Sequence, residues 1–227
     1  MTTIRLYTQK LNPYSEKVAR ALGYKRLDFE RVVSEDPNDL KRWSPVTGQL
    51  PVLEVDGERK ADSSAILAWL DEIFPDPPLL SPDPTIASKQ RSMAEWSDTS
   101  FVWYWNRWRA ARFPQPGDAE PASPSLVAKL RSGIRRAMGG RTPSRGELRE
   151  IEIANEMASR LDDLVGLLGE RPYFHANEPS WADLSVFGML EVMKDSPMAM
   201  GRDLIGERPT LLAYMERVDE ATRSPGR

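Results

Sequence analysis

The chain has 227 residues, no cysteine, one histidine and a formal net charge of −3. Without cysteine there is no disulfide, no thiolate nucleophile and no cysteine-ligated zinc or iron–sulfur site, and one histidine cannot build a histidine-rich metal site, so no metal is expected. With 40% hydrophobic and 29% charged residues, the sequence reads as a globular protein of one or two domains with neither the basic excess of a nucleic-acid binder nor an apolar run of membrane length.

The N-terminus lacks the apolar run of a signal peptide, so a cytoplasmic location is expected. Thr3–Thr8 alternates Ile4 and Leu6 with Arg5 and Tyr7, which predicts a strand. Asn12-Pro13 opens a helical pattern through Val18, Ala19 and Leu22, with Gly23 suited to its end. Leu27–Val33 predicts a second strand, Asp36–Trp43 a short helix or turn, and Leu50–Val55 a third strand. Asp56-Gly57 is a hairpin signal leading to a short strand over Glu58–Ala61. Ser63 or Ser64 is expected to cap a helix that buries Ile66, Leu67, Leu70, Ile73 and Phe74. Residues 1–75 therefore predict an α/β domain with a four-stranded mixed sheet.

The prolines of segment 76–85 exclude a helix or a central strand there and mark a linker. Beyond it, 86–227 predict an all-α domain. Helices are expected over Ile86–Phe113, Leu126–Met138, Glu147–Leu168, Ser180–Met193 and Pro209–Thr222, with breaks at Pro114–Pro124 and Gly139-Gly140.

Several local patterns carry chemistry. Gly48-Gln49-Leu50-Pro51 precedes a strand; a cis Leu50–Pro51 bond would present the Leu50 backbone to an extended peptide ligand. Asp62-Ser63-Ser64 stands at a strand-to-helix junction. Its default role is helix capping, yet the helix N-terminus attracts a carboxylate while Asp62 attracts an ammonium. Ser180-Trp181-Ala182-Asp183 has the form of a capping box, with Asp183 reaching back to the cap. His175, between Phe174 and Ala176, has no partner residue for a metal and reads as structural. Trp96, Phe101, Trp103, Tyr104, Trp105 and Trp108 exceed what one helix face hides, so part of them can line an apolar pocket. The run Arg131, Arg135, Arg136, Arg141, Arg145 and Arg149 reads as a solvated surface.

In this order and spacing, these residues resemble the cytosolic glutathione transferase family. Trp43-Ser44-Pro45-Val46-Thr47-Gly48-Gln49-Leu50-Pro51-Val52-Leu53 is similar to its cis-proline segment. Asp62-Ser63-Ser64-Ala65-Ile66 is similar to the segment that holds the γ-glutamyl end of glutathione, and Pro179–Asp183 is similar to its capping box. The resemblance implies a thioredoxin-like domain (1–75), a linker (76–85) and a helical substrate domain (86–227). It also implies a homodimer, glutathione as co-substrate, and conjugation of its sulfur to a small apolar electrophile.

Glutathione would bind along Asn12, Gln49, Leu50, Pro51, Asp62 and Ser63. The resemblance departs at Asn12-Pro13-Tyr14-Ser15, where the family's serine and cysteine classes carry the activating residue at the place of Asn12. An amide N–H can still stabilise a thiolate, so Asn12 ranks first as the thiol-activating residue, Ser15 second and Tyr7 third. Tyr14, Trp103 and Trp108 are expected in the substrate pocket. Two other readings share the fold: a glutathione-dependent disulfide or peroxide reductase, and a non-enzymatic binding or regulatory protein.

Overall fold

The computed structural model of the protein describes residues 2–112, 145–195 and 201–223. Along them run β1 (Ile4–Thr8), α1 (Pro13–Tyr24), β2 (Glu30–Val33), α2 (Pro37–Trp43), β3 (Val52–Val55), β4 (Glu58–Ala61), α3 (Ser63–Ile73) and α4 (Pro84–Arg112). Then follow α5 (Arg145–Leu168), α6 (Trp181–Asp195), α7 (Gly201–Gly206) and α8 (Pro209–Thr222). The expected helix over Leu126–Met138, both breaks beside it, and Arg131, Arg135, Arg136 and Arg141 lie outside the described residues. Packing groups the chain into two units, one of Met1–Thr99 with Val165–Arg227 and one of Ser100–Leu164.

The sheet has the order β2-β1-β3-β4, with β1 parallel to β2 and antiparallel to β3, and β3 antiparallel to β4. The β3–β4 turn is Asp56-Gly57, both at positive φ (49° and 90°), the pair of conformations that matches the strand twist of a two-residue hairpin. Alternation along the strands makes two layers. Ile4, Leu6, Leu53 and Val55 pack with Val18 and Leu22 of α1 and Ile66, Leu67 and Leu70 of α3. Tyr7 and Val52 face the other side, against Trp43 and Leu50.

Three local expectations are corrected. Helix α1 runs through Gly23 and ends at Tyr24. Its left-handed residue is Arg26 (φ 56°), and the Arg26 and Leu27 N–H groups donate to the Gly23 and Leu22 carbonyls, a Schellman ending two residues later than glycine suggested. The α3 cap is Asp62, whose Oδ1 accepts the Ala65 N–H at 2.9 Å, and neither serine holds that place. On α3, Ile73 is exposed while Trp69 is buried in its stead.

Helix α1 is covered nearly all round, which is why Ser15, Lys17 and Arg20 are buried along with its apolar residues. Its closest neighbour is α6. A Cβ on Gly188 would lie 2.5 Å from the Pro13 carbonyl oxygen and 3.2 Å from the Lys17 nitrogen, so only glycine fits there. The proline-rich segment is pinned by the buried Lys25, whose Nζ pairs with Asp71 (2.8 Å) and donates to the Phe74 and Pro77 carbonyls at 2.6 and 2.8 Å.

In the first turn of α6, the Asp183 carboxylate accepts the Phe174 N–H, the Ser180 N–H and the Ser180 hydroxyl, each at 2.9 Å, and the Tyr214 hydroxyl at 3.2 Å. The capping box is therefore also a link from the 173–180 loop to α8. His175 sits in that loop at φ 61°, half-buried, with burial drawing its pKa down.

Gly188→Ala is expected to lose about 1–3 kcal/mol of stability, because rigid backbone lies opposite the added carbon; a lowered thermal midpoint checks this. Burial pushes the Asp183 carboxyl up to about 6, against roughly 3.9 in the unfolded chain. The folded chain thus binds this proton more tightly, and the group's contribution is greatest below about pH 4 and declines as pH rises through about 6. Denaturant unfolding of wild type and Asp183→Asn should show a wider stability gap at about pH 5 than at about pH 7.5.

Candidate active site

Strand β1 delivers the chain to a loop in which Leu11 is left-handed (φ 51°), and Pro13 then starts α1 in its first turn. Asn12 is the N-cap: its Oδ1 accepts the Ser15 N–H at 2.9 Å. With the carbonyl end committed to the helix, the amide nitrogen turns outward toward the Leu50 carbonyl oxygen, 3.5 Å away. That separation is at the limit of a hydrogen bond, so the Asn12 N–H groups are only weakly engaged.

Leu50 lies at the end of a tight loop. Ser44 and Thr47 hydroxyls meet at 2.7 Å, the Gln49 N–H donates to Thr47 Oγ1 at 3.2 Å, and Gly48 is left-handed. The Leu50–Pro51 bond is cis. Leu50 is buried and Gln49 exposed. The Leu50 N–H meets no acceptor among the described residues.

On the far side of β3 and β4, Asp62 is exposed and held at φ 72° while it caps α3; Ser63 behind it is buried. Beneath them sits a cluster the sequence did not announce. Lys17 Nζ pairs with Asp98 of α4 at 2.8 Å and reaches Ser64 Oγ at 3.3 Å, and the Tyr14 hydroxyl donates to the Asp98 backbone carbonyl at 3.0 Å. Burial pushes the Tyr14 phenol up to about 12, with Asp98 and Asp62 adding to the rise. Burial also raises the Asp98 carboxyl, against the pull of Lys17. Lys17 follows Tyr14 by one helical turn, and that spacing was the one available signal that it shares Tyr14's inward face.

The structure thus brings together Asn12, Leu50 and Pro51 on one side and Asp62, Ser63 and Tyr14 on the other. Ser15 and Tyr7 adjoin these residues, Ser15 beside Asn12 and Tyr7 packed with Leu50, but their hydroxyls are differently engaged. Ser15 is buried, and its hydroxyl has no partner among the described residues. It lines, with Asn12, Leu11, Arg31 and Val33, a cleft of about 300 Å³. Tyr7 lies on the α2 side of the sheet, stacked 5.0 Å from Trp43; its hydroxyl donates to Glu54 at 3.2 Å and accepts from Arg59 at 3.3 Å. Trp103 and Trp108 belong to the other packing unit. Trp103 is exposed under the Arg107 guanidinium, while Trp108 is buried and stacked with Trp105. No group of metal-ligating side chains occurs among the described residues.

Residues 13–73 match the glutathione S-transferase N-terminal domain and residues 157–218 the glutathione S-transferase C-terminal domain. Over 99 residues the chain is 32% identical to maleylacetoacetate isomerase of Pseudomonas aeruginosa, covering 40% of this chain and 47% of that protein. Over 98 residues it is 35% identical to FtsZ-localized protein A of Caulobacter vibrioides, covering 40% and 42%. The chain thus spans about half the length, or less, of these curated relatives. Among solved structures, a glutathione S-transferase from Rhodospirillum rubrum F11 superposes with a TM-score of 0.69 at 22% identity, over 97% of this chain and 90% of that one. Beta-etherase LigF from Sphingobium sp. strain SYK-6 superposes at 0.65 and 24% identity, over 96% and 95%. At such identities these likenesses establish the fold.

Glu54 is held below the usual carboxylate range chiefly by its hydrogen bond from Arg59, with Tyr7 and Arg5 adding to it. Tyr7→Phe removes two bonds from this network, the one donated to Glu54 and the one accepted from Arg59. It is expected to cost about 0.5–1.5 kcal/mol in denaturant unfolding and to leave the ionisation of any bound thiol unchanged.

Proposed function

This chain belongs to the glutathione S-transferase family, and we propose that it binds glutathione, stabilises its thiolate with the Asn12 amide and conjugates the sulfur to a small apolar electrophile. The observation that carries this reading is the orientation of Asn12. The helix consumes its acceptor, so the end left for a ligand is a donor, placed beside the Leu50–Pro51 backbone, which is suited to lie along an extended peptide.

In this reading the Leu50 N–H and carbonyl pair with the backbone of glutathione, with Gln49 alongside. Asp62 holds the γ-glutamyl ammonium, and the N-terminus of α3, with Ser63, holds its carboxylate. The thiol loses its proton to solvent, because an amide has no site to take it. The sulfur lone pair then forms the new carbon–sulfur bond as the electrophile's leaving group departs or its double bond takes up the charge. The protein lowers the cost of the anion and fixes its aim. A second reading uses the same thiolate for reversible addition that returns an isomerised product; the Pseudomonas relative named an isomerase favours it. A cytoplasmic homodimer, with 1–75 as the glutathione domain and 86–227 as the electrophile domain, completes the proposal.

One hydrogen bond to a charged partner is worth about 1.5–3 kcal/mol, or roughly one to two units of thiol pKa. Asn12→Asp keeps the cap but places a negative charge at the sulfur, and Asn12→Ser keeps both a cap and a donor. Ultraviolet titration of bound glutathione is expected to give a thiol pKa raised by one unit or more in Asn12→Asp and close to wild type in Asn12→Ser. Conjugation rates at neutral pH should follow. Absence of glutathione binding in calorimetry would end the reading; an unshifted thiol in Asn12→Asp would remove Asn12 from it.

A further inference from the structure

We propose that the buried Lys17–Asp98 ion pair is the positioning device of the glutathione site, locking the first turn of α1, which carries Asn12, to the first turn of α3, which carries Asp62 and Ser63. The inference rests on the reading just given and assigns a role to two residues outside it.

Lys17 has no exposed side-chain surface. Its ammonium spends one hydrogen on Asp98 Oδ2 at 2.8 Å and another on Ser64 Oγ at 3.3 Å. Asp98 in turn accepts the Tyr14 hydroxyl on its backbone carbonyl at 3.0 Å. Three helices therefore meet at one polar knot: α1 through Tyr14 and Lys17, α3 through Ser64, α4 through Asp98. Tyr14 is two residues beyond Asn12, and Ser64 two beyond Asp62. Asn12 and Asp62 address two separate groups of glutathione, the thiol of its central cysteinyl residue and the γ-glutamyl amine at one end, so the knot sets the distance between them.

Stability does not account for charges here. A buried ion pair contributes little against an apolar pair of similar volume, whereas removing one partner leaves an uncompensated charge. Charged hydrogen bonds supply direction, which apolar contact lacks. A ligand held at two points feels that direction, because misplacement of a reacting group by about 1 Å costs on the order of 100-fold.

The test compares wild type, Lys17→Met, Asp98→Leu and the double variant, with thermal unfolding as one readout and glutathione affinity by calorimetry as the other. Each single variant should be less stable, and the double variant should regain most of the loss. Glutathione affinity should stay on the order of tenfold weaker in the double variant as in the singles. A double variant with wild-type affinity would show an ordinary core pair and overturn the proposal. So would a double variant as unstable as the singles, since the charges would then serve folding. A wild-type chain that binds no glutathione would instead remove the functional reading itself, with this inference following it.

Discussion

Gly188 lets α6 run so close to α1 that a single added carbon would meet the Pro13 carbonyl at 2.5 Å. That contact fixes where α1 begins, and where α1 begins fixes Asn12. The rest of the helix is equally constrained: the sheet and α3 lie on one side, and Arg20 is held on another by Glu16 at 3.2 Å and by Asp219 of α8. The candidate site is therefore built from positions that the fold immobilises. This is the arrangement a site needs if its donors are to be aimed before a ligand arrives.

Asparagine at position 12 divides its two ends between two tasks. Its oxygen satisfies an orphan N–H of the helix, as N-caps do, and its nitrogen remains for an anion. A serine or cysteine has one heteroatom to do both. The difference bears on chemistry, because an amide cannot accept the thiol proton or form a mixed disulfide. In the proposed reaction all sulfur chemistry belongs to the ligand, and the contribution of this chain is electrostatic. The N-terminus of α1 adds its partial positive charge at the same place.

Much of the fold was legible because it is written in short-range code. The alternation of Ile4 and Leu6 gave β1, Asp56-Gly57 gave the hairpin, and Ser180–Asp183 gave the start of α6. Other features depend on choices that neighbours in sequence do not settle. Asp62, Ser63 and Ser64 can all cap a helix; the left-handed backbone at Asp62 decides among them. Gly23 and Arg26 compete to end α1, and burial of Lys25 carries the helix past the glycine. Helix α7, at six residues, is too short for a period to show.

The site was legible in part for the same reason. Leu50-Pro51 and Asp62-Ser63 are contiguous motifs, while Lys17 and Asp98 stand 81 residues apart and look like solvated charges on amphipathic helices. Tyr7 looks available from its place at the end of β1 and packs with Leu50, but its hydroxyl is engaged by Glu54 and Arg59. Crystals grown with glutathione test the account most directly. It predicts the sulfur within about 3.5 Å of Asn12 Nδ2, with the ligand backbone beside Leu50 and the γ-glutamyl amine on Asp62. A sulfur resting on the Ser15 or Tyr7 hydroxyl, with the Asn12 amide turned away, would contradict it.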